Sequence, residues 1–240
     1  MAKDNTPIFK PMIFNVYKPV GVGSSDIVRH FKYHLPKGFG KIGHLGTLDP
    51  FADGVLLIAI AGAARLSNEI NGQFKKTYLA KGLLGFSSTT GDLTGEISTF
   101  GKANLEVSEL SYLNDISSGF VGDYYQTPPM YSAAKHKGRP LYKYAREGVK
   151  INKEPVKREI YSFKVLAVDK NEVTFECSVS SGTYIRTLFE DFAKVLKTSG
   201  YLTSLTRTSV GPFGIEEALK QMDWPTRGEE FCMQSGLCPS

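Results

Sequence analysis

The stretch Gly43-His44-Leu45-Gly46-Thr47-Leu48-Asp49-Pro50-Phe51-Ala52-Asp53-Gly54-Val55-Leu56-Leu57-Ile58-Ala59-Ile60 changes character halfway along. Its first eight residues, to Pro50, are a loop with two glycines, a histidine, an acid and a proline; the last six residues are apolar without a break and read as a buried strand. Glycine permits tight turns and close approach of a ligand. Pro50 fixes its own φ and biases Asp49 toward an extended backbone, so the loop can aim a carboxylate from a rigid seat. Taken alone, Asp49-Pro50 is more often a turn initiator than a catalytic acid, and His44 more often a satisfied structural histidine.

Working outward, Met12 to Tyr17 reads as a short strand ended by Lys18-Pro19 and by Gly21 and Gly23, after a loose tail over residues 1–10. Ser24 or Ser25 is placed to cap a helix from about Asp26 to His34, followed by the glycine-rich loop Gly38 to Asp53. Beyond the apolar strand come a short helix Ala63 to Asn68, a strand Thr77 to Gly85 and a turn-forming run Ser87 to Gly95. A polar helix near Val107 to Ser117 leads to a strand Gly119 to Gln126, which Thr127-Pro128-Pro129 breaks. Arg158 to Val168 and Glu172 to Ser180 flank Asp169-Lys170-Asn171 as a hairpin. Thr183 to Leu196 is the clearest helix: Ile185, Leu188, Phe189, Phe192, Val195 and Leu196 recur at helical spacing, and Gly200 lies just past its expected end. Irregular alternation, with several strands adjacent in sequence, favours a mixed α+β sheet over a doubly wound parallel one.

A chain of 240 residues, 41% hydrophobic, can fill a sizeable core. The longest apolar run, Val55 to Ala64, is interrupted by Gly62 and too short to span a bilayer, and no signal peptide is legible, so the expected home is the cytoplasm. Cys177, Cys232 and Cys238 have neither disulfide-framework nor zinc spacing. The net charge of +5 is unevenly spread: residues 135–158 hold nine Lys or Arg against Glu147 and Glu154, a local +7 that leaves about −2 for the rest. Positive charge interleaved with Tyr142 and Tyr144 suits a surface that tracks phosphates and stacks on bases, though a solvated lysine-rich face has the same composition.

The loop from Gly43 to Leu56 resembles the signature of the TruB family, the bacterial tRNA pseudouridine-55 synthases, and five further blocks in family order extend the likeness across residues 12–215. Lys18-Pro19 with Gly21 and Ser24-Ser25 resembles the N-terminal motif, and Lys76-Thr77-Tyr78 the strand carrying the active-site tyrosine. Gln126-Thr127-Pro128-Pro129-Met130-Tyr131-Ser132-Ala133, with Lys135, Gly138, Tyr142, Ala145 and Arg146, is similar to the RNA-gripping insertion. Ser181-Gly182-Thr183-Tyr184-Ile185-Arg186-Thr187-Leu188 resembles the arginine motif, and Leu205-Thr206-Arg207-Thr208 with Gly211-Pro212-Phe213 the closing motif.

The resemblance implies an α+β pseudouridine synthase fold, a flat, mixed, mostly antiparallel sheet flanked by helices, with the catalytic domain over 11–215 and a basic insertion at about 124–155. Only a short extension, 216–240, follows, so the C-terminal PUA domain usual in the family is expected to be absent or a remnant. The implied substrate is the uridine at position 55 in the T-stem-loop of tRNA, and the implied catalytic set is Asp49 as nucleophile, Tyr78 against the uracil and Arg186 paired with Asp49. From the helix alone, an exposed pair between Arg186 and Glu190 is the other reading of that arginine. Tyr184 and Leu205 would wall the pocket, His44 would enter the T-loop where the base has left, and Lys18 would contact backbone or pocket. Lys135, Lys137, Arg139, Lys143 and Arg146 would hold RNA. No cofactor, metal, guide RNA or membrane is implied, and a monomer is expected.

Two departures stand out. Where the family commonly has a Thr-Asp-Thr-x-Asp-like run, this chain has Ser88-Thr89-Thr90-Gly91-Asp92, keeping only Asp92; and Asp53 puts a second acid near Asp49. Three rivals use the same residues differently: a non-catalytic tRNA-folding module, a guide-RNA-dependent synthase of the dyskerin type, and a carboxylate glycoside hydrolase.

Overall fold

The structure, a computed structural model, describes residues 11–35, 40–66, 70, 72–99 and 109–224. The expected tail, Gly38, the end of the helix reaching Asn68, the helix start at Val107, Cys232, Cys238 and the extension beyond Trp224 lie outside the described residues. In chain order the strands are β1 (Met12–Lys18), β2 (Gly43–His44), β3 (Asp53–Ile60), β4 (Lys76–Leu84), β5 (Phe86–Ser88), β6 (Ile97–Thr99), β7 (Gly122–Gln126), β8 (Lys135–His136), β9 (Arg139–Pro140), β10 (Val156–Asp169), β11 (Glu172–Val179), β12 (Gly200–Val210) and β13 (Phe213–Gly214). The described α-helices are α1 (Ser24–His34), α2 (Leu110–Ser118), α3 (Leu141–Arg146) and α4 (Ile185–Val195). The chain divides into two compact units, Met1–Phe74 with Arg207–Ser240, and Lys75–Thr206.

In the first unit β1 and β3 pair antiparallel from Met12 opposite Ile60 to Lys18 opposite Gly54, and β2 joins β3 at Ala59 and Ile58. Strand β3 is buried on both faces. Leu56, Ile58 and Ile60 pack with Val16 and with Ile27 and Phe31 of α1, whereas Val55, Leu57 and Ala59 pack with Leu45 and Val210. A strand with two apolar faces needs no polar alternation, which is why its sequence is continuous in Val, Leu and Ile.

The start of α1 corrects the expected cap. Gly23 is the N-cap, and its N–H donates to Asp26 Oδ2 at 3.1 Å. Ser24 lies inside the helix, buried, and turns its hydroxyl to the signature loop: it donates to Leu48 O at 2.8 Å and accepts Leu48 N–H at 2.9 Å.

In the second unit the sheet order is β4-β11-β10-β7, antiparallel throughout, with the expected hairpin β10–β11 turning at Lys170 (φ 54°). Helix α4 seats on it through aromatic rings: Phe175 and Phe189 stack at 5.5 Å, and Phe163 lies 5.3 Å from Phe192. The Phe189 ring needs glycine beneath it, because a Cβ would stand 2.3 Å from it at Gly82 and 2.7 Å at Gly200. Gly200 is therefore a packing residue that opens β12; the left-handed residue just past α4 is Lys197 (φ 57°).

Strand β12, which no apolar alternation predicts, has residues 200–206 in the second unit and 207–210 in the first. The expected strand Gly119 to Gln126 starts only at Gly122, and the expected turn run includes β5, which pairs with β6. The insertion folds as the β8–β9 hairpin and the short helix α3; Lys137 (φ 48°) and Gly138 (φ 81°) supply the two left-handed residues that a tight hairpin requires. With antiparallel ladders and two isolated parallel bridges, Val16–Leu219 and Asp92–Leu202, the class is the expected mixed, mostly antiparallel α+β. Among the described residues no helix is long and apolar enough to cross a membrane.

Candidate active site

The signature loop of the first unit is held by main-chain acceptors. Arg207, 1% exposed, donates from Nε to Val55 O at 2.7 Å, from Nη1 to Thr47 O at 3.3 Å and from Nη2 to Gly46 O at 3.2 Å. One guanidinium thus grips the chain on both sides of Asp49, matching its fork of donors to three carbonyls. Its backbone presses as closely: Gly54 (φ 107°) could carry no side chain, because a Cβ would lie 2.2 Å from Arg207 O. Arg207 was not among the expected site residues. Its place in the closing motif was visible, but its burial was not.

Lys18, fully buried, donates to Val22 O at 2.8 Å, Pro19 O at 3.0 Å and Pro50 O at 3.5 Å, so its expected backbone contact falls on the residue after Asp49. Burial pulls its pKa down from 10.5 to about 8, opposed by the nearby negative charges of Asp53 and Asp49 and assisted by Arg207. Asp53, the unusual second acid, accepts the Tyr17 hydroxyl at 2.6 Å; that hydrogen bond first, then burial and the charge of Asp53, push the phenol up to about 12. Asp49 itself is half-buried. His44, on β2, has a buried Nδ1 with no hydrogen-bond partner, and burial together with Arg207 lowers its pKa, leaving a neutral imidazole at pH 7.

In the second unit Tyr78 is buried on β4 opposite Cys177. Arg186, 3% exposed, donates to Thr90 O at 2.6 Å and Tyr131 O at 2.9 Å and pairs with Asp92 Oδ2 at 3.4 Å. Such burial overturns the reading of an exposed helix-surface pair with Glu190. Asp92, the acid kept in the altered run, is fixed by the Thr90 hydroxyl at 2.8 Å and by Thr94 N–H at 2.9 Å, and Thr89 accepts Glu96 N–H at 3.0 Å. Tyr184, partly buried, is the N-cap of α4, and Leu205 is buried on β12. Thus Lys18, His44 and Asp49 belong to the first unit, whereas Tyr78, Tyr184, Arg186 and Leu205 belong to the second.

In the insertion Lys135, Lys137, Lys143 and Arg146 are exposed, and the Arg146 guanidinium lies 5.5 Å over the Tyr142 ring. Arg139 differs. It holds both carboxylate oxygens of Glu147 and sits 4.7 Å over the Tyr144 ring, so it braces the hairpin against α3. Cys177 is buried, and burial raises its pKa, which makes it an inert core thiol. Among the described residues no group of three or more His, Cys, Asp or Glu could hold a metal ion.

Residues 32–185 match the family model described as TruB family pseudouridylate synthase (N terminal domain). The tRNA pseudouridine synthase B of Thermosipho melanesiensis is 41% identical over 209 residues, 87% of this chain and 67% of that one. Its counterpart in Bordetella avium is 38% identical over 202 residues, 84% of this chain and 82% of that one. Among solved structures, a chain in a Cbf5–Nop10–Gar1 complex superposes with a TM-score of 0.66 at 26% identity, covering 94% of this chain. This chain spans 56% of that longer one.

Proposed function

The chain belongs to the TruB family of pseudouridylate synthases, and from that membership we propose that it isomerises uridine to pseudouridine at position 55 in the T-loop of tRNA, with Asp49 as nucleophile. The substrate follows from the relatives, which are named tRNA pseudouridine synthase B. The observation that carries the role of Asp49 is the seat of its loop, clamped by Arg207 at Gly46, Thr47 and Val55 and by Lys18 at Pro50. A nucleophile that must meet a base arriving from an RNA stack gains from being fixed beforehand, because orientation then costs nothing at the moment of attack.

The chemistry breaks a glycosidic bond to nitrogen and forms one to carbon without losing the base. A carboxylate that holds the intermediate covalently suits both requirements, and the isomerisation needs no redox partner or cofactor. In this proposal Arg186 pairs with Asp49 and keeps it ionised, while Tyr78 stacks on the flipped uracil and assists proton movement. Tyr184 and Leu205 wall the pocket, and neutral His44 fills the place left by the base. Lys135, Lys137, Lys143 and Arg146 track phosphates, and Arg139 acts by bracing the hairpin that presents them. The enzyme works as a cytoplasmic monomer without guide RNA.

The test is to incubate the protein and Asp49→Asn with a T-stem-loop transcript, without any guide, and to map pseudouridine. The parent converts the T-loop uridine, and the variant loses at least about a thousandfold in rate. Binding by both with conversion by neither would leave a tRNA-folding module instead. Release of free uracil would mark a hydrolase, and conversion only after adding a guide RNA would mark a guide-dependent synthase.

A further inference from the structure

Helix α4 lacks the start signals its own sequence should provide. Its N-cap, Tyr184, makes no side-chain cap, and the residue three positions on, Thr187, has a buried hydroxyl with no hydrogen-bond partner, so no capping box forms. The missing partner comes from another strand. Gln126, the last residue of β7 and 2% exposed, accepts Tyr184 N–H on Oε1 at 2.8 Å and donates from Nε2 to Tyr184 O at 2.9 Å. Its amide nitrogen also donates to the Tyr124 hydroxyl at 3.3 Å; that hydroxyl donates to Asp191 Oδ2, and Lys194 donates to Asp191 Oδ1 at 2.7 Å. The amide orientation is fixed, because flipping it would set N–H against N–H at Tyr184.

We propose that Gln126 is a positioning residue for the isomerisation: by clasping both backbone groups of Tyr184 it sets the first turn of α4, and with it the side chains of Tyr184 and Arg186. A primary amide presents a donor and an acceptor side by side, which is what one residue's N–H and C=O demand. Glutamate keeps only the acceptor, and methionine keeps only the shape. Arg186 sits two residues past the N-cap, so a shift of the first turn moves its guanidinium relative to Thr90, Tyr131 and Asp92. The inference rests on the assignment of Tyr184 and Arg186 to the reacting uridine.

The experiment compares the parent, Gln126→Glu and Gln126→Met in single-turnover conversion of a T-stem-loop transcript, with RNA affinity and thermal midpoint measured beside the rate. The rate constant should fall about tenfold for Gln126→Glu and about a hundredfold for Gln126→Met, with RNA affinity unchanged. The introduced carboxyl would meet Tyr184 O and the Tyr124 hydroxyl, which itself lies by Asp191 and Glu190 of α4; the carbonyl and the two acids favour its protonated form, against the Tyr184 N–H and the Lys194 ammonium on Asp191. Lowering the pH from about 8 to about 6 should therefore return an O–H donor and raise the Gln126→Glu rate relative to the parent. A residue that merely holds the fold together would not give that pH-dependent recovery. If Gln126→Met does not fold, the rate and pH ratio of Gln126→Glu decide alone. Variants as fast as an active parent would overturn the inference, as would losses shared equally by rate and affinity with a flat pH ratio. An inactive parent would instead overturn the function proposed above.

Discussion

Arg207 and Lys18 turn their charges inward, onto the carbonyls of Gly46, Thr47, Val55, Pro19, Val22 and Pro50; Lys135, Lys137, Lys143 and Arg146 hold theirs out in water. The two sets contain the same residue types and differ in what would be lost without them. A buried cation bonded to backbone acceptors leaves those acceptors orphaned when it goes, whereas an exposed lysine takes with it only a screened charge on a flexible stem. Arg139 stands between the groups, on the surface but committed to Glu147 and Tyr144. Burial and partner geometry, not residue type, separate the cations that shape a loop from those free to meet a phosphate.

The contrast is tested most severely at Arg207. Arg207→Met should lower stability by about 3 kcal/mol, because the buried Val55 carbonyl and the part-buried Gly46 and Thr47 carbonyls lose their donor, and activity should fall further than stability as the Asp49 loop loosens. Chemical denaturation and single-turnover rates measure the two losses, and a change under about 0.5 kcal/mol would erase the distinction.

Lys18 makes a subtler difference, written in pH. Its folded-state pKa is pulled by burial to about 8, below the ordinary 10.5. Between those values the unfolded chain binds a proton that the folded chain has released, so this group's contribution to stability rises with pH across the window and is flat and lowest beneath it. The urea midpoint of the parent relative to Lys18→Met should thus move in the parent's favour between neutral pH and about pH 10. No movement would mean that the ammonium is well solvated.

The smallest effect belongs to the surface. Replacing Lys135, Lys137 and Lys143 with alanine should change stability by no more than about 0.5 kcal/mol each. The salt dependence of RNA binding should flatten by nearly one in log–log slope for each phosphate contact removed. An unchanged slope would make these lysines ordinary solvated residues.

Strong periodicity was legible in the sequence: β3 from its unbroken apolar run, α4 from its helical stripe, and the β10–β11 hairpin from two β-rich runs about a turn. Features set by partners remote in sequence were not. Strand β12 is mostly Thr, Ser and Gly by composition and gives no hydrophobic alternation, although Arg207 and Leu205 on it are buried. The cap of α1 went to Gly23 because Ser24 was needed by Leu48, and the end of α4 went to Lys197 because Gly200 was needed beneath Phe189. Of the candidate site, the motif residues could be named in advance. Arg207 and Gln126 also stand in those motifs, but what they hold was not legible, since it depends on which backbone atoms they reach.

The span of the Arg207 hydrogen bonds also bears on how the protein is made. Their donor and acceptors are separated by 152, 160 and 161 positions in the chain. While the ribosome is still elongating toward residue 207, the segment bearing Asp49 has already emerged and lacks these donors. Contacts of such long range form late, so this seat is completed only once residue 207 has emerged, and translation stalled upstream of it would yield a nascent chain with its nucleophile displayed but unset.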